Sequence, residues 1–169
     1  DQDWIYDPTP DFFYGLNFYF QYKGFDLTMF WQGIQGRDII SDLKKETDLW
    51  SGLNIGFLNK GRRVLDAWTP NNPDSDIPAL TRSDLNNEKR VSTYYVEDGS
   101  FLKLRNIQLG YNVPEAVLQK VKMRKLRVYV SAQNLLTIKS RTFTGVDPEN
   151  PNYGYPIPMN LTFGVNIGF

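Results

Sequence analysis

The 169 residues carry 19 Lys+Arg against 19 Asp+Glu, so no net field draws the chain toward nucleic acid or an acidic partner. The absence of cysteine excludes a disulfide framework and thiolate metal sites. The absence of histidine removes the commonest general base and metal ligand, which argues against an enzyme. No apolar run approaches about 18 residues, so no transmembrane helix is expected. The chain opens at Asp1 rather than methionine, as a processed or cut end would, so the lack of a secretion leader is uninformative.

Five runs alternate apolar and polar residues, and each is read as a strand: Asp11–Tyr22, Phe25–Gln32, Ser100–Val113, Leu126–Ile138 and Leu161–Phe169. Lys23-Gly24 joins the first two as a tight turn in which Gly supplies positive φ. Gly33 to Gly99 is long and turn-rich, with a short helix expected over Ser41–Trp50, capped by Ser41 or Asp42. Pro114–Lys125 is an intermediate connection in which Pro114 suits the first turn of a helix. Lys120, Lys122, Arg124 and Lys125 crowd toward that helix's end, where its dipole favours cations. In this setting the basic cluster is a solvated turn rather than a nucleic-acid site. Lys139–Asn160 is long again.

Period-two geometry sorts the side chains onto two faces. One carries Phe12, Tyr14, Leu16, Phe18, Phe20 and Tyr22, then Phe25, Leu27, Met29 and Trp31, then Leu126, Val128, Val130 and Ala132. The last run is the cleanest, with Leu161, Phe163, Val165, Ile167 and Phe169 against Thr162, Gly164, Asn166 and Gly168. The third run changes phase between Leu104 and Ile107, and one extra residue near Arg105-Asn106, a β-bulge, restores a single apolar face.

The apolar face excludes charge, as a wall facing lipid must. A Lys or Arg at mid-membrane costs roughly 2–4 kcal/mol on such a wall. The runs are near the roughly 9–11 residues a tilted strand needs to span a bilayer core. Aromatics sit near the strand ends, where membrane-interface girdles belong. A soluble antiparallel sandwich shows the same alternation and would act as a binding or adhesion module. Against it, a second sheet to cover the apolar face is missing, and the chain stops on a strand-terminal aromatic. Outer-membrane barrels pair short periplasmic turns with long extracellular loops. Segments 33–99 and 139–160 are therefore expected outside, with Lys23-Gly24 and Pro114–Lys125 on the periplasmic side.

Pro8-Thr9-Pro10-Asp11-Phe12, Gln32-Gly33-Ile34-Gln35-Gly36-Arg37-Asp38-Ile39 and Asp66-Ala67-Trp68-Thr69-Pro70-Asn71-Asn72-Pro73 carry a family likeness. Val96-Glu97-Asp98-Gly99-Ser100-Phe101-Leu102-Lys103-Leu104-Arg105-Asn106-Ile107 carries it most specifically. Together with Leu126–Leu135 and Thr144–Glu149, these stretches resemble, in order, the C-terminal end of SusC/RagA-family TonB-dependent outer-membrane transporters. Pro78-Ala79-Leu80 departs from the family's usual Pro-Arg-Leu in a loop. The resemblance implies an all-β chain supplying the last five antiparallel strands of a transmembrane barrel of about 22 strands, around a plug absent here. It also implies import of glycans or peptides with a SusD-like lipoprotein, energy from the TonB complex, and insertion into outer-membrane lipid by the barrel-assembly machinery.

Within that frame Trp50, Trp68, Tyr94 and Tyr95 are candidates to contact a ligand or lid, against the plainer expectation that they pack the loop onto itself. Lys103, Arg105 and Arg127 face the lumen and are expected to pair with plug carboxylates, because unpaired interior charge is costly. Phe169 is expected to serve as the assembly signal. Asp147, Glu149, Asn150 and Asn152 lack EF-hand spacing and read as a turn rather than a calcium site. Glu97 and Asp98 point opposite ways on a strand and cannot flank one bond as an acid/base pair. No catalytic residue, metal or cofactor is assigned.

Overall fold

The computed structural model describes residues 3–49, 59–81, 87, 90–151 and 154–169. Two compact units divide them. One comprises Pro10–Gly36, Ser100–Ser140 and Pro156–Phe169; the other comprises Asp1–Thr9, Arg37–Gly99 and Arg141–Tyr155.

The first unit is a five-stranded antiparallel sheet. Its strands are β1 (Phe12–Tyr22), β2 (Phe25–Gln35), β5 (Phe101–Asn112), β6 (Lys125–Lys139) and β7 (Asn160–Gly168), each beside its neighbour in that order. β2 runs three residues past its expected end because Gly33 and Ile34 continue the ladder against Tyr14 and Phe13. Lys23 (φ 46) and Gly24 (φ 88) form the β1–β2 turn with both central residues at positive φ, the backbone that matches strand twist in a two-residue hairpin. A Cβ on Gly24 would stand 2.9 Å from the Asn112 carbonyl oxygen, so the residue is fixed by space as well as by φ.

The expected bulge lies where the phase change places it, and it widens across three strands. Phe30 and Trp31 are consecutive in β2, yet they oppose Asn106 and Leu104, leaving Arg105 as the extra residue of β5. Opposite the same step, β6 inserts both Asn134 and Leu135 between Gln133 and Leu136. Asn134 takes φ 53, a left-handed conformation that Asn tolerates better than most residues.

Between β5 and β6 the helix is shorter than expected. α2 covers only Glu115–Leu118, and a 3-10 turn follows over Gln119–Val121. Lys122 at φ 55 then ends it, and Pro114 stands at the N-cap rather than in the first turn.

The second unit gives the long segment a structure of its own. β3 (Asp38–Ile40) pairs with β4 (Val96–Asp98) as a separate two-stranded sheet. Between them α1 spans Asp42–Thr47, and the Ser41 hydroxyl accepts from the Lys44 amide at 3.3 Å as its N-cap. Ile39, Leu49, Ala67, Tyr95 and Phe143 are buried here.

Candidate functional site

The two faces of the five-stranded sheet differ as the alternation requires. Every charged residue within its strands lies on the polar face or in the bulge: Asp26, Lys103, Arg105, Lys125, Arg127 and Lys139. The other face is hydrocarbon and aromatic surface, broken by Gln35 at the end of β2. Phe12, Leu16, Phe20 and Tyr22 on β1 are exposed, as are Leu161, Phe163, Val165 and Ile167 on β7, with Phe163 at 80%. Monomeric soluble proteins rarely expose apolar patches beyond a few hundred Å². No described helix is long and apolar enough to cross a membrane.

On the polar face Arg127 is already paired. Its Nε and Nη2 donate to the two Asp26 carboxylate oxygens at 3.1 and 2.5 Å, and the Asn112 amide adds a bond of 3.0 Å. The carboxylate that Arg127 meets belongs to the sheet itself. Asp26 and Arg127 lie on strands separated by β5, and Gly110 between them leaves room for the bridge. A Cβ there would come within 2.7 Å of both Arg127 Cζ and Asp26 Oδ1.

Arg105, the bulged residue, donates from Nε to the Gln32 side chain at 2.7 Å and from Nη1 to Asn134 at 3.4 Å. Asn134 in turn donates to the Pro158 carbonyl at 3.2 Å, where the chain enters β7. Lys103 is 1% exposed, with its amine 5.5 Å from the Phe101 ring centroid. Sequence reasoning found these cations but missed Asp26, Gln32 and Asn134. Only strand register reveals that they meet.

The candidate aromatics of the second unit separate. Trp50 lies outside the described residues. Trp68 is 43% exposed. Tyr95 follows the plainer expectation of packing within the segment: it is 1% exposed, edge-on to Tyr94 at 5.1 Å. Tyr94 also turns inward, its hydroxyl donating to Asp48 at 2.6 Å. Burial, reinforced by that carboxylate, pushes the Tyr94 phenol well above its ordinary value.

Asp48 is wholly buried and also receives Arg63 Nε at 2.6 Å and the Thr47 hydroxyl at 3.0 Å. Glu97, buried on β4, accepts from the amide and hydroxyl of Thr144 at 3.0 and 2.7 Å and lies 3.3 Å from the Lys44 amine. These carboxylates tie distant parts of the unit together rather than facing a cleft. The Asp147 carboxylate caps its own turn by accepting from the Glu149 amide at 3.0 Å. Phe169 follows β7 and is exposed.

A charge-free, exposed wall of antiparallel strands backed by a polar face carrying paired charge defines a stretch of transmembrane β-barrel. No protein-family model matches the chain. Curated relatives do: it is 36% identical over its whole length to TonB-dependent receptor P3 and 32% identical over 96% to TonB-dependent receptor P26, both of Formosa agariphila. It spans 17% of the length of each. Among solved structures it superposes on the RagAB peptide importer in the closed-closed state with a TM-score of 0.80. There it is 29% identical, covering 97% of this chain and 18% of that one. The open-open state gives 0.76 at 28% identity, covering the same shares. The chain belongs to the SusC/RagA-like TonB-dependent receptors and forms part of their outer-membrane barrel.

Proposed function

We propose that the parent protein imports large nutrients, glycans or peptides, across the outer membrane of a Gram-negative bacterium. The energy comes through the TonB complex, and a SusD-like surface lipoprotein is the lid partner. The observation that carries this reading is the sidedness of the sheet, with charge confined to one face of a wall whose relatives are TonB-dependent receptors. Likeness to a peptide importer makes oligopeptides the first substrate class to test.

The chain supplies the C-terminal five strands of the barrel. Segments 33–99 and 139–160 are extracellular, and the turns at Lys23-Gly24 and Pro114–Lys125 are periplasmic. Lys103 and Arg105 face the plug, Trp68 is available to the lid or ligand, and Phe169 is read by the barrel-assembly machinery. The test is uptake of labelled oligopeptides and oligosaccharides by cells carrying or lacking the receptor, with and without TonB. Import requires loss of uptake in both deletions. Loss confined to oligosaccharides assigns glycans, and unchanged uptake of both classes refutes import.

A further inference from the structure

On the apolar face, Phe25, Leu109, Tyr111, Val128, Val130 and Phe163 line a groove of about 300 Å³. That is the lower end of the roughly 300–1,000 Å³ found for ligand sites. Its depth follows from side-chain size. Phe25 and Tyr111, directly paired across β2 and β5, bring their rings to 4.6 Å and form one wall. Phe163 on β7 forms the other, and the short Val128 and Val130 of β6 lie between.

The groove lies toward the end of the sheet where β1 turns into β2 and β5 leads into β6, and that end is rich in cations. The Lys23 amine stands 5.2 Å from the centroid of the Tyr22 ring. Tyr22 belongs to the apolar face and is the cross-strand partner of Phe25, so this charge lies on the outer side, beside the groove's wall. Arg124 is exposed just ahead of β6, while Lys125 shares the polar face of Arg127. The β5–β6 connection sets Glu115 against Lys120, Lys122 and Arg124. Asp26, the acidic residue of the nearby strands, is on the opposite face and bound to Arg127.

We propose that this groove holds an acyl chain of an anionic phospholipid of the inner leaflet, with Lys23 at its headgroup phosphate. The inference rests on the outer-membrane reading and adds a defined lipid site to it. An apolar trough beside an excess of cations selects hydrocarbon joined to negative charge. A cation at an anionic lipid surface strengthens binding about fivefold.

The experiment is native mass spectrometry of the delipidated full-length receptor, titrated separately with dioleoylphosphatidylglycerol, dioleoylphosphatidylcholine and lipopolysaccharide. Phosphatidylglycerol is expected to bind at least fivefold more tightly than phosphatidylcholine. Lys23→Asn removes the amine but suits the positive φ of the turn. It should weaken phosphatidylglycerol binding about fivefold and leave phosphatidylcholine unchanged. Val128→Trp, which fills the groove, should weaken both. Equal binding of the two phospholipids, preference for lipopolysaccharide, or an unaffected Lys23→Asn receptor would overturn the site. Outer-membrane fractionation separates the two levels of failure. A receptor recovered there without lipid selectivity refutes the groove alone, and one absent from that fraction refutes the membrane reading as well.

Discussion

Asp26→Asn isolates the interior ion pair. The substitution keeps the shape of the side chain but removes the charge that Arg127 meets through two hydrogen bonds and Asn112 through a third. The side chains of Arg127 and Asp26 are 16% and 9% exposed, so water replaces the lost partner poorly. Removing one member of a buried pair costs about 3–5 kcal/mol, and about 3 is expected here because Asn still accepts one bond. Arg127→Gln should cost a similar amount. The double variant should cost less than the sum of the singles, with a coupling of about 2 kcal/mol. Gly110→Ala gives an independent check, because its methyl group would wedge the pair apart. It should reproduce the Asp26→Asn loss in the native background and add little to the double variant. The assay is the urea dependence of folded, unheated gel mobility for the full-length receptor in lipid vesicles. Single-variant costs that simply add, to within about 0.5 kcal/mol, would refute the pairing.

Tyr94→Phe should destabilise the second unit by about 1.5–3 kcal/mol, the worth of a hydrogen bond to a charged group. Because the folded phenol is raised above its ordinary 10.0, its contribution is complete below that pH and is lost as pH rises beyond it. Proteolysis of this segment should therefore accelerate above pH 10.0 in the native receptor and depend less on pH in Tyr94→Phe. Cysteine at Asn72 should label from outside intact cells and cysteine at Gln119 should not; labelling at Gln119 would invert the topology. Deleting Phe169 should lower the amount of receptor in the outer membrane and leave uptake per assembled molecule nearly unchanged. Normal levels with abolished uptake would place Phe169 in the transport step instead.

The strands were legible because their two faces meet different solvents, and each side chain's chemistry therefore reports its parity. The bulge at Arg105 was legible for the same reason, since one inserted residue inverts the phase between Leu104 and Ile107. The matching irregularity in β6 was not. Asn134 and Leu135 are two insertions relative to β2, and two insertions restore the phase, so Ala132 and Leu136 still share a parity. The bridge from Asp26 to Arg127 was hidden because it crosses an intervening strand at a glycine, and no local pattern encodes that meeting. Tyr95 carried two expectations because an aromatic in a long connection looks the same whether it faces solvent or fills a core. Its burial depends on the β3–β4 pairing and on α1, which non-local contacts create.

The central claim is that the apolar face meets lipid. The chain contains no cysteine, so single cysteines can be introduced one at a time from Leu161 to Gly168 without competing thiols in this segment. Spin labels at these sites, in the full-length receptor reconstituted in bilayers, report collision with oxygen, which concentrates in lipid, and with a water-soluble nickel chelate. Oxygen accessibility should peak at Leu161, Phe163, Val165 and Ile167 and fall at Thr162, Gly164, Asn166 and Gly168, a period of two along β7. Uniform accessibility, or nickel collisions highest at Phe163 and Val165, would contradict the account.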